Sequence, residues 1–135
     1  MSIDTERTTG LDNGVKLVKP TDRTLAAAQT AGMIREQAIK TDTLWAGIAR
    51  TAPGNRSGWH HHGDWETVVY VIQGAVRLEC GAGGLTIMQA EPGDHLLIPK
   101  YEVHRESNPT DEEQVLTVVR VGSGPVVVNV DPPPE

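Results

Sequence analysis

The chain has 135 residues, a net charge of −6, no Phe and a single Cys, which sets one domain with a core of Val, Ile, Leu, Ala and a few Trp, Tyr and Met. The acidic balance disfavours nucleic acid or an anionic membrane surface as partner, and the lone Cys80 excludes an intrachain disulfide. The first residues, 1–7, lack the basic and apolar regions of a signal peptide, and no apolar run approaches the ~20 residues that span a bilayer, so a cytoplasmic protein is expected.

In chain order, residues 1–30 read as a partly flexible N-terminal segment, with one helical turn expected between Thr21 and the stop at Gly32. Residues 31–131 read as a single domain. Met33 to Ile39 reads as an edge strand, and Leu44 to Ala52 as a fuller strand ended by Pro53-Gly54. A histidine-bearing strand and the apolar strand Glu66 to Ile72 follow, closed by a turn at Gln73-Gly74. Val76, Leu78 and Cys80 then alternate with Arg77 and Glu79, the pattern of a strand with one face in water. Gly81 to Gly84 lacks the spacing of a phosphate loop and reads as a turn into Leu85 to Gln89. His95 to Ile98 is a short buried strand after the Pro92-Gly93-Asp94 turn. Gln114 to Val121 is a long β-branched strand, Val126 to Val130 a last edge strand, and Pro132 to Pro134 stop further pairing. Many short strands with frequent turns give an all-β sandwich or closed barrel.

The chemistry is concentrated in 54–74. In extended backbone, side chains two apart share a face, so His60 and His62 point together and His61 points away. A turn at Gly63-Asp64 can return Glu66 towards them. Two imidazoles and a carboxylate suit Fe, Mn, Co, Ni or Zn, and His104, after a Pro-initiated turn, offers a fourth ligand.

These residues resemble the cupin superfamily. Gly54, His60, His62, Glu66 and Gly74 follow its first motif, G-x5-H-x-H-x3,4-E-x6-G, and Gly93, Pro99, His104 and Asn108 follow its second, G-x5-P-x-G-x2-H-x3-N. The resemblance spans roughly 44–121 and implies a double-stranded β-helix, or jelly-roll, barrel with one divalent transition metal inside. It implies His60, His62, Glu66 and His104 as ligands, with Asn108 bracing its turn. It also implies a small-molecule substrate or ligand and pairing as a homodimer. Two departures stand out. Seven residues instead of six separate Glu66 from Gly74, so the carboxylate position falls either on Glu66, through a strand irregularity before Tyr70, or on Thr67. Tyr101 replaces the family glycine, so another type of turn is expected before His104.

Tyr70 and His95 are the candidates for proton transfer, although a satisfied core histidine is the plainer reading of His95. Arg35, Gln37 and Trp45 are candidates for the substrate pocket, against a solvated face for the first two and core packing for the third. The expected function is a metal-dependent enzyme of dioxygenase, isomerase, decarboxylase or lyase type; the alternative is a non-catalytic ligand- or metal-binding module.

Overall fold

The computed structural model describes residues 14–135. In chain order its strands are β1 (Thr24–Leu25), β2 (Ile34–Lys40), β3 (Leu44–Thr51), β4 (His60–His61), β5 (Asp64–Gln73), β6 (Val76–Cys80), β7 (Thr86–Ala90), β8 (His95–Ile98), β9 (His104–Ser107), β10 (Gln114–Ser123) and β11 (Val128–Asn129). They form two antiparallel sheets, one ordered β1-β2-β3-β10-β5-β8 and the other β11-β4-β9-β6-β7. The helical turn expected after Thr21 is only a three-residue 3-10 turn, Pro20–Asp22. The chain then enters β1, which pairs with β2. Ala26 and Thr30 are buried, so the described part of the N-terminal segment is tied to the barrel. The first thirteen residues of that segment lie outside the described residues.

Period-two alternation decides which side chains enter the barrel. In β5, Trp65, Thr67, Val69 and Val71 are buried while Glu66, Val68, Tyr70 and Ile72 are exposed. In β10, Gln114, Leu116, Val118 and Arg120 are buried. The β5–β10 register runs unbroken from Asp64↔Ser123 to Val71↔Leu116 and slips only beyond Val71. The core includes Trp45, Ala49, Trp65, Val69, Val71, Leu78, Ile98, Leu116 and Val118. Beside it lies an unusual set of buried polar groups: Arg35, His60, His62, Thr67, His104, Glu106 and Arg120.

Candidate metal centre

Three imidazoles meet because two short strands are neighbours. His60 on β4 is the register partner of His104 on β9, with ring centroids 4.4 Å apart. His62 lies two residues on from His60 and shares its inward direction, with its ring 5.1 Å from each of the other two. One ligand nitrogen from each of the three lies within 4.8 Å of the others, and all three residues are buried.

Backbone carbonyls fix the tautomers. His60 Nδ1 donates to Gly58 O at 2.9 Å, His62 Nδ1 to Val126 O at 2.9 Å and His104 Nδ1 to Glu102 O at 2.8 Å. A carbonyl only accepts, so each Nδ1 carries the hydrogen, and a ring that is neutral has its lone pair on Nε2. Burial keeps two of these rings neutral. Desolvation, joined by the nearby charges of Arg120 and the other histidines, pushes the His62 pKa far below its ordinary value. Desolvation also lowers His104 to about 4, against an opposing pull from Glu106.

The carboxylate at this cluster is Glu106. Its Oε2 lies 3.3 Å from His60 Nε2 and 3.7 Å from His104 Nε2. Burial raises the Glu106 pKa, but His60, His104 and Arg35 outweigh that and hold it well below the usual carboxylate range. An ionised oxygen therefore stands beside the His104 Nε2, and a cation placed between them would be attracted by both. His104 Nε2 is buried without any hydrogen-bond partner, the mark of a donor atom awaiting a ligand. Three imidazole nitrogens and a carboxylate oxygen fit a first-row transition metal. Arg35 Nη2 lies 3.3 Å from His60 Nε2, so a cation there competes with that guanidinium for the lone pair.

Glu66 is not part of this cluster. The unbroken register keeps it on the outer face of β5, opposite Val121, while Thr67 takes the inward position opposite Arg120. The Thr67 hydroxyl is buried and unpartnered. Tyr70 and His95 face each other across β5 and β8, with rings 4.7 Å apart. Both are exposed on the barrel exterior, away from the three histidines. His61 points outward as its parity requires, and its Nδ1 accepts from the Gly63 amide. Asn108 ties its loop to Thr51 O and Glu112 O.

The turn before His104 also differs from expectation. Tyr101 adopts a φ of 59°, so the left-handed conformation suited to glycine is kept by a residue for which it costs about 1–2 kcal/mol. Its amide donates to Gly63 O at 2.9 Å, which joins the two turns that present His62 and His104.

Arg35, Gln37 and Trp45 line a cavity of about 260 Å³, together with Lys40, Arg120 and Val126. Trp45 Nε1 donates to Gln37 Oε1 at 3.0 Å, and the Arg120 guanidinium sits 4.7 Å from the Trp45 ring centroid. Arg35 and Arg120 also line a small inner cavity with His62, Thr67 and Glu106, which makes them the boundary between the outer cavity and the histidines. Sequence reasoning missed Glu106 and Arg120, yet each has a signal. Glu106 stands two residues after His104, and Arg120 is in phase with buried Leu116 and Val118. A larger open cleft of about 470 Å³, around Arg56, Arg77 and Glu79, shares no lining residue with either cavity.

A family profile described as "Cupin domain" matches residues 47–120. Solved structures share the fold. The polyketide cyclase RemF from Streptomyces resistomycificus has a TM-score of 0.68 at 22% identity, covering 87% of this chain and 86% of that one. An uncharacterized conserved protein with a double-stranded β-helix domain from Klebsiella pneumoniae has a TM-score of 0.66 at 18% identity, covering 77% and 89%. Oxalate decarboxylase from Bacillus subtilis, which has Mn(II) centres, has a TM-score of 0.65 at 19% identity, covering 76% of this chain and 29% of that one. No curated protein sequence matches the chain.

Proposed function

Because this chain belongs to the cupin family, we propose that it is a metal-dependent enzyme acting on a small organic molecule, with one divalent transition metal held by His60, His62 and His104. Glu106 supplies the neighbouring carboxylate. The observation that carries the reading is the set of three Nδ1–H···O=C hydrogen bonds. They turn three buried Nε2 atoms towards one point, the arrangement by which proteins orient ligating histidines. Iron, manganese, zinc, nickel and cobalt all accept such donors. The Mn(II) centres of the oxalate decarboxylase that shares the fold make manganese a reasonable first choice.

When bound, such a metal supplies Lewis-acid or redox chemistry to a substrate that reaches it. The chain's own residues do the rest. Arg35 and Arg120 bind and orient the substrate, and Trp45 and Val126 exclude water. Glu106, held ionised beside the histidines, supplies a fixed negative charge next to the reacting region. Elemental analysis of protein purified without chelator tests the first step, with about one metal per chain expected. Oxygen consumption and product analysis across small aromatic and keto acids then test turnover. Metal at well below one per chain removes the reading, and full metal loading without turnover of any of them favours a binding module.

We also propose a homodimer. Val68, Tyr70, Ile72 and Leu97 are exposed on β5 and on the edge strand β8, an apolar face of the kind that marks association. Light scattering at micromolar concentration should give twice the 14.6 kDa chain mass, and the monomer mass would remove the proposal.

A further inference from the structure

We infer that the cavity beside the histidines is a pocket for a small organic acid, whose carboxylate is taken by Arg120 with Arg35 and Lys40 flanking it. The inference rests on the proposed enzyme only in calling that acid a substrate; the pocket itself is built without metal. Arg35 and Arg120 are 1% and 2% exposed. Arg120 Nε and Nη1 and Arg35 Nε are buried with no hydrogen-bond partner. Neither guanidinium has a carboxylate within ion-pair distance among the described residues, and a buried unpaired cation is costly. Against these two cations the described residues place one buried carboxylate in the barrel, Glu106, already engaged with the histidines. The interior is thus short of negative charge, and a divalent metal would deepen the shortage.

The arginine is also held ready. Gln37 fixes the Trp45 indole through its N–H, and the indole face supports the Arg120 guanidinium. Stacking leaves the guanidinium edge free to donate to an oxyanion, the geometry in which arginine selects carboxylates. Lys40 adds a third cation at the rim. The cavity of about 260 Å³ lies below the usual range for drug-sized ligands, which limits the acid to a few carbon atoms or one small ring. Because Arg120 also lines the inner cavity with His62 and Glu106, the acid's carboxylate is held on the side of the pocket that faces the histidine cluster.

Calorimetric titration of malonate, malonamide and inorganic phosphate into chelated protein tests the assignment. Malonate should bind saturably, with malonamide at least tenfold weaker. Arg120→Met should lose malonate binding by at least tenfold and, by removing a buried unpaired charge, raise the melting temperature of the ligand-free protein by a few degrees. Equal binding of malonate and malonamide by the unaltered protein overturns the pocket, as does unchanged malonate affinity in Arg120→Met. Binding of phosphate without malonate overturns its assignment to an organic acid. Metal content measured on reloaded samples separates the two readings. Malonate binding in a protein that takes no metal leaves the pocket standing and removes the metal, while stoichiometric metal without malonate binding does the reverse.

Discussion

The two sheets carry opposite chemistry into one barrel. From the five-stranded sheet, β4 and β9 deliver His60, His104 and Glu106, and His62 follows directly after β4. From the six-stranded sheet, β2 and β10 deliver Arg35 and Arg120, and β5 delivers the hydroxyl of Thr67. One wall is imidazole nitrogens and a carboxylate; the other is guanidinium N–H donors and a hydroxyl. The same alternation rule places both, so the contrast comes from residue choice at inward positions. A cation satisfies the first wall and an anion the second, and each ligand offsets the field left by the other. A substitution should therefore announce which wall it sits on through the ligand it loses.

The largest expected effect is on the histidine wall. A His60→Ala, His62→Ala double variant should fall from about one metal per chain to almost none, read by elemental analysis after dialysis. Equal metal in both proteins would end the division between the walls. Glu106→Gln comes next. It keeps the shape and removes the charge beside two Nε2 atoms, and metal affinity should drop about 10- to 100-fold, the usual cost of losing a group that supports a metal ligand. Calorimetric metal titration reads the change, and an affinity within twofold of the original would leave Glu106 a bystander.

Acid should separate the walls without mutation. His62 and His104 bind protons less readily in the folded chain than an ordinary histidine, with His104 lowered by burial from 6.5 to about 4. A group depressed in this way contributes stability that is fully present above about 6.5 and is lost as pH falls towards the folded value. Metal-free protein should therefore melt several degrees lower at about pH 5 than at about pH 7. His104→Asn should flatten that slope. An equally steep slope in the variant would place the acid sensitivity elsewhere.

Much of the histidine wall was legible because its residues sit close together in sequence or follow a Pro-containing turn that a motif describes. His60 and His62 share a face by strand parity alone, and the cupin motif supplied His104. The remaining carboxylate was harder. Motif spacing drew attention to Glu66, while the residue that reaches the histidines, Glu106, comes from another strand and is marked only by its two-residue offset from His104. Arg120 was overlooked because a single charge in Gln114 to Val121 reads as a solvated position until its phase with Leu116 and Val118 is noticed. Tyr101 shows a different limit. Sequence preference argued against a left-handed residue there, but the hydrogen bond from its amide to Gly63 holds the turn that glycine would have made. Tertiary contacts override local preference at the point where the two histidine-bearing turns join.

The smallest effects should come from the pair that the motif spacing left open. Glu66 lies on the outer face of β5 and Thr67 on the inner, with no register slip between them and Val71. Glu66→Gln should therefore leave metal affinity unchanged within about twofold, since a solvated charge on the far side of a strand is screened from the barrel interior. Thr67→Val replaces a buried hydroxyl without a partner by a methyl of similar volume. Removing that unsatisfied group should stabilise the metal-free protein by about 1 kcal/mol, read as a small rise in melting temperature, with metal affinity unaltered. A neutral hydroxyl competes poorly with imidazole for a divalent cation, so loss of metal in Thr67→Val would mean that the inward wall of β5 takes part in coordination. Loss of metal in Glu66→Gln would mean that β5 shifts register when it binds. Either result would erase the division of labour between the two sheets, because the six-stranded sheet would then also hold the cation.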